Sequence, residues 1–318
     1  MEFRVECYDE VGSTNELVKR AIEGGEPEGL AVAARVQTAG YGRQGRAWAS
    51  PAGGMYLSLL LRPDVPLVQL PTLSLVVGMA VRRAVASLVP EDAAERVLIK
   101  WPNDVVVGDS ACVARVDATG GPIDAAALSD VGGASADPSS AGEPAAPSAT
   151  SAPFRKICGI SLEQHAGGIC VGIGVNVAPP EGDDVVPQVG GKNVPAYVAD
   201  LAGRTRVGVD GAPSASELIE RVRAAVLREF GALYERWVVE GFAALLDEYA
   251  AHAALTGMRV SIVNLDGSVQ VAGTVRGVDT FGRLLVEPSD AFGRLLVESS
   301  DASGVVAVSS GEAHVTLA

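Results

Sequence analysis

The sequence has few cysteines, and none of them belongs to a metal-binding or redox motif. Cys7, Cys112, Cys158 and Cys170 form no C-x-x-C pair in a chain of 318 residues. So sparse a set excludes a disulfide framework and a zinc-finger type of site. It indicates reduced thiols and therefore predicts a cytoplasmic protein.

The chain also lacks an excess of basic residues. Its 25 Lys and Arg residues stand against 39 Asp and Glu residues, which gives a net charge of -14. Nucleic-acid binding depends on clustered Lys and Arg that neutralise phosphates, so this balance argues against DNA as a partner. Any site for an anionic ligand must therefore be built locally, against the overall charge.

No segment has the pattern of a signal peptide or a membrane span. The N-terminal segment MEFRVECYDEVGSTNE has neither a basic n-region nor an apolar h-region. The longest apolar stretch, residues 70–89, is interrupted by Ser74, Gly78, Arg82 and Arg83. It predicts a buried helix rather than a transmembrane one, and hence no membrane partner.

Short runs rich in Val, Ile and Leu, bounded by turn residues, predict neighbouring strands of one sheet. These runs are residues 3–11, 30–37, 55–62, 97–101, 105–107, 157–163 and 169–177. Helical periodicity appears after Ser13, in the apolar stretch and, in two pieces, over residues 214–252. The pattern predicts an α+β domain, residues 1–254, with helices on one side of a mixed β-sheet.

Residues 109–153 differ from the rest of this domain. Thirty of these 45 residues are Ala, Ser, Gly or Pro, and none is aromatic or Lys. Such a segment cannot bury enough apolar surface to offset its ordering entropy, so it is predicted to be a disordered insertion without a catalytic role. Long loops add little closure entropy, so a hairpin can carry it.

The remaining residues, 255–318, predict a second, smaller module. Short strands and the turn signal Asn264-Leu265-Asp266-Gly267 are typical of a small β-barrel. Within it, FGRLLVEPSDA (residues 281–291) recurs as FGRLLVESSDA (residues 292–302). Two copies of an 11-residue unit are too few and too short for a solenoid, so the repeat predicts a local duplication that lengthens a hairpin.

The segment GYGRQG (residues 40–45) satisfies the G-x-G-x-x-G pattern of dinucleotide-binding sites. Such a site needs a helix to begin there, and residues 46–54 (RAWASPAGG) predict none, so a Rossmann-type site is excluded. The loop does carry Arg43 and Arg46 and no acidic residue. Glycine backbone and two guanidinium groups predict an anion-binding loop, with an ordinary solvated loop as the alternative.

Three further segments place polar residues at predicted strand ends. KWPND (residues 100–104) supplies a Lys, an Asn and an Asp that could position a nucleotide and its metal, with a simple turn as the alternative. Lys156 begins an apolar strand, where a snorkelling edge lysine is the alternative. The small residues of GIGVNV (residues 172–177) allow a ligand or a neighbouring strand to approach closely.

In this order, these segments resemble the biotin–protein ligase family. The matching segments are Ser13-Thr14-Asn15, QTAG (37–40), GRQGR (42–46), KWPND, KICGI (156–160) and GIGVNV. The resemblance covers about residues 11–177 without the insertion, and more weakly the segment ending in Ser310-Gly311-Glu312. It implies a class II synthetase-like catalytic domain of the biotin/lipoate ligase type and an SH3-like C-terminal barrel.

The resemblance also implies a reaction and a role for each matching residue. Biotin and ATP would form biotinyl-5′-AMP, with Mg²⁺, and biotin would then pass to a lysine of the biotin carboxyl carrier domain of an acyl-CoA carboxylase. Biotin would contact Ser13, Thr14, Asn15, Gln37, Tyr41, Gly42, Arg43 and Lys156. ATP would contact Arg43, Arg46, Trp48, Lys100, Asn103, Asp104, Lys156 and Asn176. The catalytic residues would be Lys156, Arg43 and Asp104, with Asp104 near Mg²⁺ through the phosphates.

Two positions have a further interpretation. Ser13 and Glu16 form the S-x-x-E pattern of a capping box, so Ser13 could cap a helix as well as bind biotin. Tyr41 stands where the family usually has arginine, which removes one guanidinium from a loop that is expected to order when ligand binds. Because Arg43, Arg46 and Lys156 remain, the resemblance still predicts activity.

Other functions fit parts of the sequence. A lipoate–protein ligase shares the two-step chemistry, and a biotin-binding pseudoenzyme fits Tyr41 and the insertion. A biotin-responsive repressor would need an N-terminal helix-turn-helix, for which no room is expected before Ser13. The sequence favours the ligase, as a monomer or homodimer.

Overall fold

A computed structural model of the protein describes residues 1–108, 153–180, 194–203, 213–289 and 304–315. The predicted insertion, residues 109–153, lies outside the described residues except for Pro153. The second copy of the tandem repeat lies outside them as well. The described residues form two β-sheets and six α-helices.

The larger sheet has seven strands in the order β1-β2-β3-β7-β6-β5-β4. Its strands are β1 (Arg4–Val11), β2 (Leu30–Gln37), β3 (Gly54–Leu61), β4 (Val97–Lys100), β5 (Asp104–Gly108), β6 (Phe154–His165) and β7 (Gly168–Asn176). Strands β1 and β2 run parallel, and every other neighbouring pair is antiparallel. The predicted mixed sheet is therefore confirmed.

Helices cover both faces of this sheet, so the prediction that they lie on one side was wrong. The helices are α1 (Thr14–Glu23), α2 (Leu73–Ala86), α3 (Glu91–Ala94), α4 (Val198–Leu201), α5 (Ala215–Glu240) and α6 (Leu246–Ala250). Leu57 and Leu59 of β3 belong to the same buried cluster as α2 and α5, whereas Leu60 packs with Val18 and Ile22 of α1. Because both faces of β3 are apolar, both need a cover.

The predicted buried helix is confirmed as α2, which a 3₁₀ turn at Leu67–Thr72 precedes. The stretch Leu67–Ala86 is long and apolar enough to cross a membrane, but 61% of the apolar 18-residue segment within it is buried inside the protein. Its partner is α5, and the indole N–H of Trp237 donates to Thr72 Oγ1 at 2.8 Å. The stretch is therefore a core helix of this fold.

The smaller sheet follows in sequence and is wholly antiparallel. Its strands are β8 (Arg259–Val263), β9 (Val269–Val278), β10 (Leu284–Pro288), β11 (Val306–Val308) and β12 (Glu312–Val315), in the order β11-β10-β9-β8-β12. The turn signal at Asn264 joins β8 to β9 as predicted. Within the described residues, the outer strands β11 and β12 do not pair, so the sheet does not close into a barrel there.

Candidate active site

A cavity of about 720 Å³ lies on the α1 face of the larger sheet, above β3, β5, β6 and β7. The loop of residues 38–48 and the start of β12 form its rim. Every predicted site residue except Ser13 lines it: Thr14, Asn15, Gln37, Tyr41, Gly42, Arg43, Arg46, Trp48, Lys100, Asn103, Asp104, Lys156 and Asn176. The sheet order produces this gathering, because it places β7 next to β3 and β6 next to β7.

The floor of the cavity is made of small residues on three adjacent strands. Gly172 of β7 lies between Ser58 of β3 and Ser161 of β6, and Gly174 lies beside Gly159. A Cβ atom at Gly172 would stand 2.5 Å from both Asn15 Oδ1 and Ser161 Oγ. Glycine therefore opens the space above the sheet, which accounts for the small residues of GIGVNV.

Trp48 closes this floor from above. A Cβ atom at Gly174 would stand 2.7 Å from the indole nitrogen of Trp48, and one at Gly159 would stand 2.9 Å from its Cζ3. The ring also lies under Lys156, whose Nζ is 5.2 Å from the ring centroid. Its buried N–H has no hydrogen-bond partner among the described residues. The indole thus lies against the glycine floor, next to a cation.

The Gly174→Ala substitution is expected to displace Trp48. The added methyl group has no space, and overpacking of this kind costs about 1–3 kcal/mol. We expect a shift of the indole fluorescence emission and a lower unfolding midpoint. Gly24→Ala is the matched control, because its Cβ would meet only ordinary contacts at 3.4 Å or more. An unchanged emission spectrum and midpoint for Gly174→Ala would contradict the placement of Trp48.

One end of the cavity is polar and uncharged. Gln37 Oε1 accepts from the backbone N–H and the hydroxyl of Thr14 at 2.9 and 3.0 Å. The hydroxyl of Ser58 lies 2.7 Å from Thr14 Oγ1 and 2.6 Å from Asn15 Oδ1. These buried groups offer both donors and acceptors, and therefore suit a neutral polar ligand group. Ser58 was not among the predicted site residues, although a single serine within the apolar run MYLSLLL marks it.

Ser13 lies outside this cavity, and the predicted capping box is absent. Ser13 is the N-cap residue of α1, but its side chain makes no capping hydrogen bond. Its hydroxyl is buried without a partner among the described residues and lines a neighbouring cavity of about 340 Å³. Glu16 accepts from the hydroxyl of Tyr41 instead, at 2.6 Å. A tertiary partner has therefore replaced the local one.

The opposite end of the cavity is cationic. Lys156 Nζ lies 2.6 Å from Asp104 Oδ1, and the two side chains are only 17% and 12% exposed. Arg43 donates to Asn103 Oδ1 at 2.8 Å, and burial lowers the pKa of its guanidinium. Burial also lowers the pKa of the nearby Lys100 ammonium, although Asp104 opposes that effect. A buried cluster of this kind favours an anion that neutralises it.

Asparagine side chains fix the backbone at this end. Asn103 Nδ2 donates to the carbonyl of Ile160 at 2.8 Å, and Asn176 Nδ2 donates to the carbonyl of Lys156 at 3.0 Å. Lys156 itself lies inside β6, which begins at Phe154, two residues before it. These bonds join β5, β6 and β7 around the Lys156–Asp104 pair, so that its position is rigid.

The loop over the cavity contains a 3₁₀ turn at Arg43–Gly45, with Gln44 and Gly45 at positive φ. No α-helix follows this turn, so a Rossmann-type site is excluded by the structure as it was by the sequence. Arg46 forms a salt bridge with Glu312 of β12. The smaller sheet therefore contributes a carboxylate to the rim of the cavity, which the sequence did not predict.

The sequence is similar to several known proteins. The sequence profile of the Biotin/lipoate A/B protein ligase family matches residues 9–113. The Biotin–[acetyl-CoA-carboxylase] ligase of Mycobacterium tuberculosis is 31% identical over 289 residues, which cover 89% of this chain and 83% of that protein. Bifunctional ligase/repressor BirA of Bacillus subtilis is 40% identical over 101 residues. That match covers 31% of this chain and only 30% of the length of the bifunctional protein.

The fold has close structural relatives as well. The biotin protein ligase of Aquifex aeolicus, solved in complex with biotin and ATP, has a TM-score of 0.65 to this chain at 21% identity. The superposition covers 99% of both chains. The mixed α/β architecture, with its second antiparallel sheet, is therefore that of a known structural class.

Proposed function

The chain belongs to the family of biotin–[acetyl-CoA-carboxylase] ligases, and on that premise we propose that it activates biotin with ATP and attaches it to a carrier protein. One observation carries the proposal. A single cavity joins a neutral polar end, at Thr14 and Gln37, to a cationic end, at Arg43 and Lys156. Biotin is complementary to this cavity, with a neutral ureido ring at one end and an anionic carboxylate at the other.

In the first step, a carboxylate oxygen of biotin forms a bond to the α-phosphorus of ATP, and the bond to pyrophosphate breaks. Two anions must approach each other, so the barrier is largely electrostatic. We infer that Lys156 and Arg43 stabilise the developing charge, since cations that are already held in position need no reorganisation during the reaction. Asp104 holds the Lys156 ammonium in place through the 2.6 Å contact.

In the second step, the amine of an acceptor lysine attacks the carbonyl carbon of biotinyl-5′-AMP, and AMP leaves with the anhydride oxygen. The anhydride must be kept from water until the acceptor arrives. We assign this task to the loop of residues 38–48, which carries Arg43 and Trp48 over the cavity. Arg46, Lys100, Asn103 and Asn176 would contact the nucleotide, and the carrier domain of a carboxylase would supply the lysine.

The Mg²⁺ ion that accompanies ATP would fit the cationic end of the cavity, next to the phosphates and Asp104. Among the described residues, no group of three His, Cys, Asp or Glu side chains could hold a metal ion by itself. Mg²⁺ commonly binds through one or two carboxylates together with substrate phosphates. We therefore propose that Mg²⁺ enters with ATP, that Asp104 is the carboxylate near it, and that it would neutralise phosphate charge.

We propose two domains, residues 1–254 and 255–318, of which the second is an SH3-like barrel; its five antiparallel strands support this. The first domain would be class II synthetase-like. The free thiols of Cys7, Cys158 and Cys170 support a cytoplasmic location. The net charge of -14 supports a protein without DNA as a partner. We propose that it acts as a monomer or homodimer.

The decisive test is exchange of labelled pyrophosphate into ATP, with biotin or lipoate added separately. We expect exchange with biotin alone, followed by transfer of labelled biotin to a purified carrier domain when one is supplied. Exchange with lipoate and none with biotin would replace the proposal by a lipoate–protein ligase. Binding of biotin without exchange would identify a pseudoenzyme.

A further inference from the structure

Besides the packing of Trp48 on the cavity floor, the loop of residues 40–48 is attached to the rest of the protein through hydrogen bonds or salt bridges of three side chains. Arg43 donates to Asn103 before β5, and Arg46 pairs with Glu312 of β12. The third attachment is Tyr41, whose hydroxyl donates to Glu16 of α1 at 2.6 Å. The three attachments differ in what happens to them when an anionic ligand enters the cavity.

The two arginine attachments compete with the substrates. Arg43 and Arg46 are the side chains proposed to contact biotin and ATP, and their present partners are oxygen atoms of Asn103 and Glu312. Phosphate or carboxylate oxygens bind guanidinium more strongly than a neutral amide does, and they compete with the partly exposed Glu312 carboxylate. These contacts therefore exchange, wholly or in part, when substrates bind. Neither can keep the loop in one position both before and after binding.

The Tyr41 attachment uses neither arginine. Lys19 Nζ donates to the Tyr41 hydroxyl at 2.7 Å and stands 5.2 Å from the centroid of the ring. Glu163 of β6 holds Lys19 from the other side at 2.5 Å. We call Tyr41, Glu16, Lys19 and Glu163 the Tyr41 clamp. It joins the loop to α1 and β6, the elements that carry Asn15 and the cavity floor.

The clamp is hydrogen-bonded throughout at neutral pH. Burial alone would lower the pKa of Lys19, but its hydrogen bonds to Glu163 and Tyr41 raise it above the ordinary value, so the ammonium stays charged. Burial and the hydrogen bond to Glu16 raise the pKa of Tyr41 to about 12, so its hydroxyl keeps its proton. Lys19 and Tyr41 therefore have the protonation states that their hydrogen bonds require.

We propose that Tyr41 is a positioning residue, held by Glu16 and Lys19, that keeps the loop of residues 40–48 over the cavity before any substrate binds. The inference rests on the proposed function for its catalytic meaning, but not for its geometry. Tyr41 stands where the resemblance leads one to expect arginine. Tyr41, which replaces that guanidinium, thus anchors the loop, and the loop is ordered before ligand binds.

A loop that is already in place has a smaller ordering cost when ligand arrives. We therefore expect the clamp to strengthen apparent biotin binding and to slow the escape of biotinyl-5′-AMP, with little effect on the chemical step. A purely structural tyrosine would change folding stability instead, and would leave the ratio of KM to kcat unaltered.

The test is limited trypsin digestion of the full chain without substrates, followed through the fragments that begin at Gln44 and Ala47. We expect Tyr41→Phe, which keeps the ring and removes the hydroxyl, to raise cleavage after Arg43 and Arg46 about tenfold, as expected for loss of a hydrogen bond to charged partners. Tyr8→Phe is the matched control, since Tyr8 also donates to a glutamate, Glu6, but lies on edge strand β1. Equal cleavage of the Tyr41 variant and wild type would overturn the proposal.

Two further measurements complete the test. Glu16→Gln, which keeps the side-chain shape, should also accelerate cleavage after Arg43 and Arg46. If Tyr41→Phe unfolds and Glu16→Gln does not, the cleavage rate of Glu16→Gln tests the proposal. In pyrophosphate exchange, Tyr41→Phe should raise the KM for biotin about tenfold and change kcat by less than about twofold. A fall in kcat alone would contradict a positioning role. If wild type shows no biotin-dependent exchange, the proposed function is wrong. Trypsin digestion still tests whether Tyr41 holds the loop, because it does not depend on activity.

Discussion

The Lys156→Ala variant is expected to lose biotin-dependent pyrophosphate exchange by a factor of about 10²–10³, the usual effect of removing one preorganised charge donor. Lys156 lies at the cationic end of the cavity, 2.6 Å from Asp104, with 17% of its side chain exposed. Without its ammonium, the approach of the biotin carboxylate to the α-phosphate would be opposed by Asp104 as well as by the phosphates. The measurement is the initial rate of exchange at saturating biotin and ATP.

Lys156→Ala also leaves the Asp104 carboxylate without its ionic partner, and that can reduce stability. The double variant Lys156→Ala with Asp104→Asn separates the two effects, because it removes both charges. We expect the double variant to unfold at a higher temperature than Lys156→Ala and to remain inactive. Recovery of exchange to near the wild-type rate, in either variant, would exclude Lys156 from the reaction.

The second large effect is expected from Arg43→Gly, which should release biotinyl-5′-AMP into solution at least about tenfold faster than wild type. The substitution removes the hydrogen bond to Asn103 and the guanidinium proposed to hold the intermediate. It also gives the loop a residue with more conformational freedom. Release is measured by rapid filtration of enzyme loaded with labelled biotin and ATP, and by labelling of bystander proteins.

Arg43→Lys serves as the matched comparison for this variant. It keeps the positive charge but lacks the fork that binds two oxygen atoms at once. We expect intermediate release between those of Arg43→Gly and wild type. If Arg43→Gly retains biotinyl-5′-AMP as long as wild type does, Arg43 does not hold the intermediate, and Lys156 alone must account for retention.

The strands could be predicted because they depend on local pattern, whereas most residues of the site were predicted from the resemblance to a known family. Apolar runs ended by turn residues placed β2 and β7 within a residue or two of their observed bounds. Lys156 was identified because packing does not explain a lysine at the start of an apolar strand. Gln37 and Lys156, however, line one cavity because of the strand order β2-β3-β7-β6, and no local sequence pattern predicts that order.

The errors arose where a distant residue competed with a near one. Ser13 and Glu16 have the spacing of a capping box, yet Glu16 binds Tyr41 and Lys19, because a phenol and an ammonium group lie within its reach in the folded chain. At Ser214 and Glu217, where no such competitor is found among the described residues, the same pattern does form a capping box. The placement of α1 on the face of the sheet opposite α2 and α5 was not predicted, for a related reason. The sequence of an apolar strand does not indicate which helix covers each of its faces.

The glycine floor limits how the ligand preference of this protein can change. Gly159, Gly172 and Gly174 present only hydrogen atoms to the cavity, and every substitution at these positions makes the cavity shallower. No replacement of these three glycines can make the cavity deeper, because they already present only main chain. Room for a bulkier substrate has to come from residues with side chains, and the opposite wall, formed by the first helix and the arginine loop, is where altered specificity should be sought in engineered libraries.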